Sequence, residues 1–302
     1  MGKSIFKSRE AKEKMEWWYD KFLGRIQPEV QSERVDTRFG SNHVLITGGK
    51  EKPPLFCLHA MLTGSSHLLS ELQLLTENYR LIAPDLPGQS VRGIETRFSY
   101  KNEDFPNWLN DIADSFGDEK INLVGVSLGG FAATKYAMLH PDKVNKLVLI
   151  VPAGFVNGSF LKGMIKLAIP GILYRLNPSD KRLRAFAEPL LSTWDEDWAG
   201  YFGDSSQSFH ADLRIPPLFT DQEVRSLKPD SLLIAAEEDL YLDSDGLEKM
   251  KPEQLSLVIC GTDLLSLEEK QAMLESTDTL YRLEIAIQQI GKRLRRHRAE
   301  KK

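Results

Sequence analysis

Five consecutive residues, Gly125-Val126-Ser127-Leu128-Gly129, hold a serine between two glycines at the spacing G-x-S-x-G. The apolar run Ile121-Asn122-Leu123-Val124 leads into them, and Gly130-Phe131-Ala132-Ala133-Thr134-Lys135-Tyr136-Ala137 follows with helical composition. Strand, sharp turn and helix in that order lift a serine hydroxyl clear of a sheet. So tight a turn presses the flanking backbone against its neighbours, which explains the glycines. The chemistry that fits is nucleophilic attack by Ser127 on an electrophilic carbon. A glycine-rich turn with an incidental serine is the plainer reading of five residues alone, and the flanking elements argue against it. No metal-ligand cluster and no P-loop appears, and Gly125 to Gly130 does not follow G-x-G-x-x-G, so no cofactor and no metal are expected.

The elements that must position the serine follow from patterning. The run Pro54-Leu55-Phe56-Cys57-Leu58-His59 reads as a buried central strand, as do Tyr79 to Asp85, Val144 to Val151, Ser231 to Ala236 and Gln254 to Cys260. Helices are expected near Ser65 to Thr76, Asn107 to Phe116 and Leu267 to Ile290. Strands alternating with helices imply a mostly parallel α/β sheet with helices on both faces. Two short β segments, Arg34 to Phe39 and His43 to Thr47, are expected to form an edge hairpin through Gly40-Ser41-Asn42. Residues 9 to 23 carry Ala11, Met15, Trp18 and Phe22 at helical spacing, widened by Trp17 and Tyr19, and predict an amphipathic helix docked on the body. The organisation expected is an N-terminal helix over 1–23, an α/β core over 24–152 and 229–291, a helical insertion over 153–228 and a basic tail over 292–302.

With 302 residues, 41% of them hydrophobic, the chain can bury a large core. A net charge of -4 offers no overall attraction to nucleic acid or to an anionic membrane. The apolar stretch Leu161 to Tyr174 is broken by Lys162, Lys166 and Pro170, so no membrane span is expected. Cys57 and Cys260 each fall within an expected strand, as small core residues rather than a disulfide. With no signal-like opening stretch, cytoplasmic residence is the expectation.

In this order the motifs resemble the α/β-hydrolase fold, and within it the bacterial carboxylesterase-like hydrolases with a helical cap. The resemblance runs from about residue 30 to 290 and rests on four stretches: Leu58-His59-Ala60-Met61-Leu62, where the family has an H-G-x turn; Asp85-Leu86-Pro87-Gly88-Gln89-Ser90, like D-x-x-G-x-S; the elbow at Gly125 to Gly129; and Leu232 to Asp239. Ala60 stands where the family has glycine. The resemblance implies that Ser127 is the nucleophile and that the backbone N–H groups of Leu128 and Met61 form an oxyanion hole, where negative charge develops on the carbonyl oxygen. It implies Asp239 as the catalytic acid, with Glu237, Glu238 and Asp243 as competitors in the same acidic loop. His59, Leu62 and His210 are candidates to line the substrate site, under an insertion carrying Phe160, Met164, Phe186, Trp194, Trp198 and Phe202. Those side chains fit the insertion's own core as well as they fit a pocket wall. Haloalkane dehalogenase and epoxide hydrolase chemistry are disfavoured, because both relatives use a carboxylate where Ser127 stands.

The family's third catalytic member is a histidine soon after the last strand. Here the corresponding sequence is Val258-Ile259-Cys260-Gly261-Thr262-Asp263-Leu264-Leu265, and Asp263 stands nearest the histidine's place. No histidine occurs between Asp239 and His297, and His297 belongs to the basic tail. His59 is expected to be structural, His210 to face the serine from the insertion, His67 to line the pocket, and His43 and His140 to lie at the surface. A free carboxylate is a weaker base than imidazole by about 2.6 pKa units. Beside Asp239, however, Asp263 would share a site with a second carboxylate, and one of the two would be made more basic.

Two functions follow. One is a serine hydrolase that cleaves a small ester or related acyl substrate through a Ser127 acyl-enzyme. The other is a pseudoenzyme of the same fold, a ligand-binding or regulatory protein that lacks the catalytic base. The partner expected is a small acyl substrate or ligand, not nucleic acid, and assembly as a homodimer is left open.

Overall fold

The computed structural model describes residues 4–156, 163–191, 194–212, 214–236 and 255–260. Eight strands form one sheet in the order β1-β2-β4-β3-β5-β6-β7-β8. They are β1 (Val30–Thr37), β2 (Gly40–Thr47), β3 (Pro54–Leu58), β4 (Arg80–Pro84), β5 (Ile121–Val126), β6 (Val144–Ile150), β7 (Asp230–Ala236) and β8 (Leu255–Cys260). β2 runs antiparallel to both β1 and β4, whereas every pairing from β4 through β8 is parallel. The crossovers carry α2 (Ser65–Leu72), α3 (Asp104–Phe116) and α4 (Leu128–Leu139).

Successive strand side chains point to opposite faces, and both faces of β3 are buried. Phe56 and Leu58 join Trp108 of α3 and Phe131 and Tyr136 of α4 on one face, while Leu55 and Cys57 join Phe22 and Leu69 on the other. Cys57 is a free, fully buried thiol that burial pushes well above the usual cysteine range. This double burial accounts for continuous apolar runs where a one-sided strand would alternate.

Helix α1 (Arg9–Leu23) begins at Ser8, whose hydroxyl accepts the Ala11 N–H, and buries Met15, Trp18, Tyr19 and Phe22. Trp17, expected within that stripe, lies 55% exposed outside it, with the Lys21 ammonium 4.8 Å from its ring. The hairpin turn also differs from expectation. Thr37 pairs with Gly40, so Arg38 and Phe39 make the turn while Gly40, Ser41 and Asn42 lie within β2. Gly40 takes φ 120°, so the glycine meets the turn's backbone demand at the first strand residue.

Between β6 and β7 the described residues contain helices and no strand: a π-helical turn at Met164–Ala168, then α5 (Ile169–Leu176), α6 (Asp180–Ala187), α7 (Glu196–Ser208) and α8 (Asp221–Arg225). α1 is fastened to α7. Trp18 Nε1 donates to Asp204 at 2.9 Å, Lys21 and Arg25 reach Asp197, and Phe22 lies 4.6 Å from Trp198. Between Ala236 and Leu255, and beyond Cys260, lie Asp239, Glu237, Glu238, Asp243, Asp263, the helix expected at Leu267 to Ile290 and the basic tail. All of these, with Phe160, fall outside the described residues.

Candidate active site

β5 ends at Val126, α4 begins at Leu128, and Ser127 alone makes the turn. It takes φ 53° and ψ −113°, a conformation that costs a side-chain-bearing residue about 1–3 kcal/mol. The surrounding backbone imposes it. The Ser127 N–H donates to the Ile150 carbonyl at 3.0 Å, and the Ser127 carbonyl accepts from Phe131 at 3.1 Å and from Ala153 at 3.0 Å.

The neighbouring glycines are required by close approach. A Cβ at Gly125 would stand 2.5 Å from the Gly129 carbonyl oxygen, and one at Gly129 would stand 2.1 Å from that of Leu58. Neither is compatible with van der Waals contact. The α4 N-terminus therefore lies directly on the end of β3, as the Leu58↔Gly125 register requires. The loop that follows β3 thus leaves the sheet beside the elbow. Leu128 is the first residue of α4, where an N–H has no acceptor within the helix. The Met61 N–H has no hydrogen-bond partner among the described residues.

Buried polar groups shape the loop carrying Met61. His59 is fully buried; its Nε2 accepts the Leu86 N–H at 2.8 Å and its Nδ1 donates to the Ala60 carbonyl at 2.8 Å. Burial holds the ring below the usual histidine range, against the pull of Asp85. With both nitrogens spent on backbone, His59 braces the loop and has none left to offer a substrate or Ser127. The Cβ of Ala60 is accommodated without positive φ, and the strain falls instead on Leu62, at φ 53°. Gln89, 1% exposed, accepts the Leu62 N–H at 3.2 Å, and the hydroxyl of Tyr201 in α7 donates to the Leu62 carbonyl. Gln89 lies in the motif noted from sequence, but Tyr201 comes from the far side of the chain and has no local signal.

The other histidines are dispersed. His67 is 2% exposed, stacked on Phe22 at 4.3 Å and beside Tyr201 at 4.2 Å; burial, with a smaller contribution from His59, depresses its pKa to about 3. His210 is half-buried; its N–H donates to Ile5 and its carbonyl accepts from Arg97. His140 is half-buried with its ring 5.0 Å from Tyr136. His43, expected at the surface, is 4% exposed: its Nδ1 lies 2.7 Å from Asp85 Oδ2 and its Nε2 lies 2.8 Å from the Ser32 hydroxyl. Because β2 lies three positions from β5, about 14 Å at the usual strand spacing, His43 does not serve Ser127. No described residue hydrogen-bonds the Ser127 hydroxyl.

Asp85 is the hub beneath these groups. It also accepts from the Tyr19 hydroxyl at 2.9 Å and the Ser65 N–H at 2.9 Å. Burial alone would raise its pKa, but the hydrogen bond from His43 and the charge interactions with His59 and His43 bring it down to about 2. Of the aromatics expected over the site, Trp198 and Phe202 lie 5.5 Å apart, with Trp198 against Phe22 and 5.6 Å from His67. Phe186 stacks on Tyr174 at 6.2 Å, and Trp194 lies under the Arg184 guanidinium at 4.8 Å. No group of His, Cys, Asp and Glu able to hold a metal occurs among the described residues. No helix among them is long and apolar enough to cross a membrane.

A family model described as alpha/beta hydrolase fold matches residues 53–269. The uncharacterized carboxylesterase nap of Bacillus subtilis (strain 168) is 28% identical over 229 residues, covering 74% of this chain and 76% of its own. Carboxylesterase YbfK of the same organism is 27% identical over 279 residues, covering 84% and 88%. Among solved structures, naproxen esterase (carboxylesterase NP) from Bacillus subtilis superposes with a TM-score of 0.71 at 22% identity, covering 89% of this chain and 97% of that one. Carboxylesterase CesB (YbfK) from Bacillus subtilis gives 0.66 at 23% identity, over 88% and 96%.

Proposed function

The chain belongs to the alpha/beta hydrolase fold family and is similar to bacterial carboxylesterases, and from that premise we propose that it is a serine hydrolase cleaving a small carboxylic ester through an acyl-enzyme on Ser127. The observation that carries this reading is the strained φ of 53° at Ser127. Backbone strain of that kind at a solvent-reachable serine is a cost that a merely structural turn could avoid with glycine.

In this reading the Ser127 oxygen attacks the ester carbonyl and the negative charge passes to the carbonyl oxygen. The N–H groups of Leu128 and Met61 receive it; a single preorganised donor of this kind is worth about 10²–10³ in turnover. The alcohol leaves with a proton, and water then releases the acid from Ser127. On this reading Asp263 is taken as the base and Asp239 as the acid; a second carboxylate sharing the site would raise the basicity of the first. Leu62 and the half-exposed His210 line the acyl site, beneath the helical segment between β6 and β7 acting as its cap.

One observation favours the pseudoenzyme alternative: no described histidine reaches Ser127, and His59, the one whose loop adjoins it, is spent on backbone. Hydrolysis of p-nitrophenyl acetate by wild type, Ser127→Ala and Asp263→His separates the two. A wild-type rate at least tenfold above Ser127→Ala supports the hydrolase. A wild type equal to Ser127→Ala, with rate gained in Asp263→His, establishes a degenerate site.

A further inference from the structure

The polar groups at the other end of the sheet carry a second arrangement that Ser127 chemistry does not use. Ser32 lies on β1, the edge strand, and His43 on β2. Because Arg34 pairs with His43 and Ser32 with Leu45, Ser32 sits diagonally across from His43 on the same face. The Ser32 hydroxyl is 2.8 Å from His43 Nε2, and His43 Nδ1 is 2.7 Å from Asp85 Oδ2. Both distances are those of good hydrogen bonds.

We propose that Ser32, His43 and Asp85 form a second activated serine, an open acyl-transfer site at the sheet edge that takes small activated esters. Three features support it. Asp85 and His43 are 0% and 4% exposed, whereas Ser32 is exposed, so the relay leads from the interior to solvent. The carboxylate is held in its ionised form and fixed in place by the Ser65 N–H on Oδ1 and the Tyr19 hydroxyl on Oδ2, and that same Oδ2 lies against His43 Nδ1 and orients the imidazole. A neutral ring that donates Nδ1–H to Asp85 must present an unprotonated Nε2 to Ser32, which is the tautomer a general base needs. A serine–histidine–acid relay is recognised by this geometry and not by chain order. A purely structural role for His43 would be complete with the Asp85 bond, whereas here the second nitrogen is turned toward an exposed hydroxyl.

The step balances without a cofactor. The Ser32 oxygen bonds to the acyl carbon as its proton passes to His43 Nε2. The bond from that carbon to the leaving oxygen then breaks, and the departing alcohol takes the proton from His43. Water attacks the acyl-serine by the same route in reverse and releases the carboxylic acid.

The test treats full-length Ser127→Ala protein with a fluorophosphonate, whose phosphorus bonds to an activated serine as fluoride leaves, and locates adducts by peptide mass spectrometry. Ser41, exposed at the start of β2, is the internal control. The expected result is an adduct on Ser32 forming about 10²-fold or more faster than on Ser41, lost in Ser32→Ala and slowed by a similar factor in His43→Gln, the range of general-base catalysis. No Ser32 adduct, labelling no faster than at Ser41, or an unchanged Ser32 rate in folded His43→Gln overturns the proposal. Should His43→Gln fail to fold, the Ser32 to Ser41 ratio in the folded Ser127→Ala protein decides alone. Labelling of Ser127 in wild type is read from a different peptide, so either site can fail without the other.

Discussion

A methyl group on Gly129 would lie 2.1 Å from the carbonyl oxygen of Leu58. The helix that follows Ser127 and the strand that precedes the Met61 loop therefore touch through bare backbone. That contact keeps the Leu128 and Met61 amides at one end of the sheet, and the same contact makes the site fragile.

Gly129→Ala is expected to lose about 3 kcal/mol or more of stability, because the atoms in the way are backbone and cannot rotate aside. Urea unfolding followed by circular dichroism measures it. A loss below about 1 kcal/mol would mean that the elbow and β3 can separate easily.

Ser127→Gly is expected to stabilise the fold by about 1 kcal/mol while removing the Ser127-dependent share of ester hydrolysis, since glycine adopts φ 53° without the steric cost borne by serine. The paired readouts are the urea midpoint and p-nitrophenyl acetate turnover. Lower stability in Ser127→Gly would remove the argument from strain.

Tyr201→Phe takes away the hydroxyl that donates to the Leu62 carbonyl, at a residue held at φ 53°. The expected cost is about 1–2 kcal/mol of stability. If the neighbouring Met61 amide belongs to the oxyanion hole, kcat falls about tenfold with KM little changed, part of what one such donor contributes. Steady-state kinetics on an activated ester separate the two effects.

His67 sets a pH dependence. Burial lowers its pKa from 6.5 to about 3 in the folded chain. Below pH 6.5 the unfolded chain takes up a proton that the folded chain refuses, so stability is complete above that pH and declines as pH falls toward 3. Between pH 6.5 and 4.5 the expected loss from this residue is about 2 to 3 kcal/mol. His67→Phe, which keeps the stack on Phe22 and has no titrating nitrogen, is expected to flatten the dependence by that amount. Urea midpoints measured at four pH values across the window check it.

The elbow was legible because its requirements are local. Glycine at 125 and 129, an apolar run before and small residues after are all demanded by backbone geometry within about ten residues of Ser127. The parallel strands were legible for a similar reason, since burial on both faces leaves continuous apolar runs such as Leu55 to Leu58. The hairpin turn was displaced by two residues, because the Thr37↔Gly40 register is set by pairing across strands and not by where the glycine falls.

What the amino-acid sequence determined alone is thus the α/β sheet and the turn that presents Ser127. The tertiary structure decided what each histidine does. His43 reads from its neighbours as an exposed hairpin residue, and it is buried because Asp85 at the end of β4 and Tyr19 of α1 converge on it from 42 and 24 residues away. His59 and Tyr201 are alike in this: their partners are backbone atoms of a loop whose position depends on the whole sheet. Hydrogen bonds between residues distant in the chain leave no periodicity to read, so which groups are spent on structure and which are left for chemistry is a property of the fold.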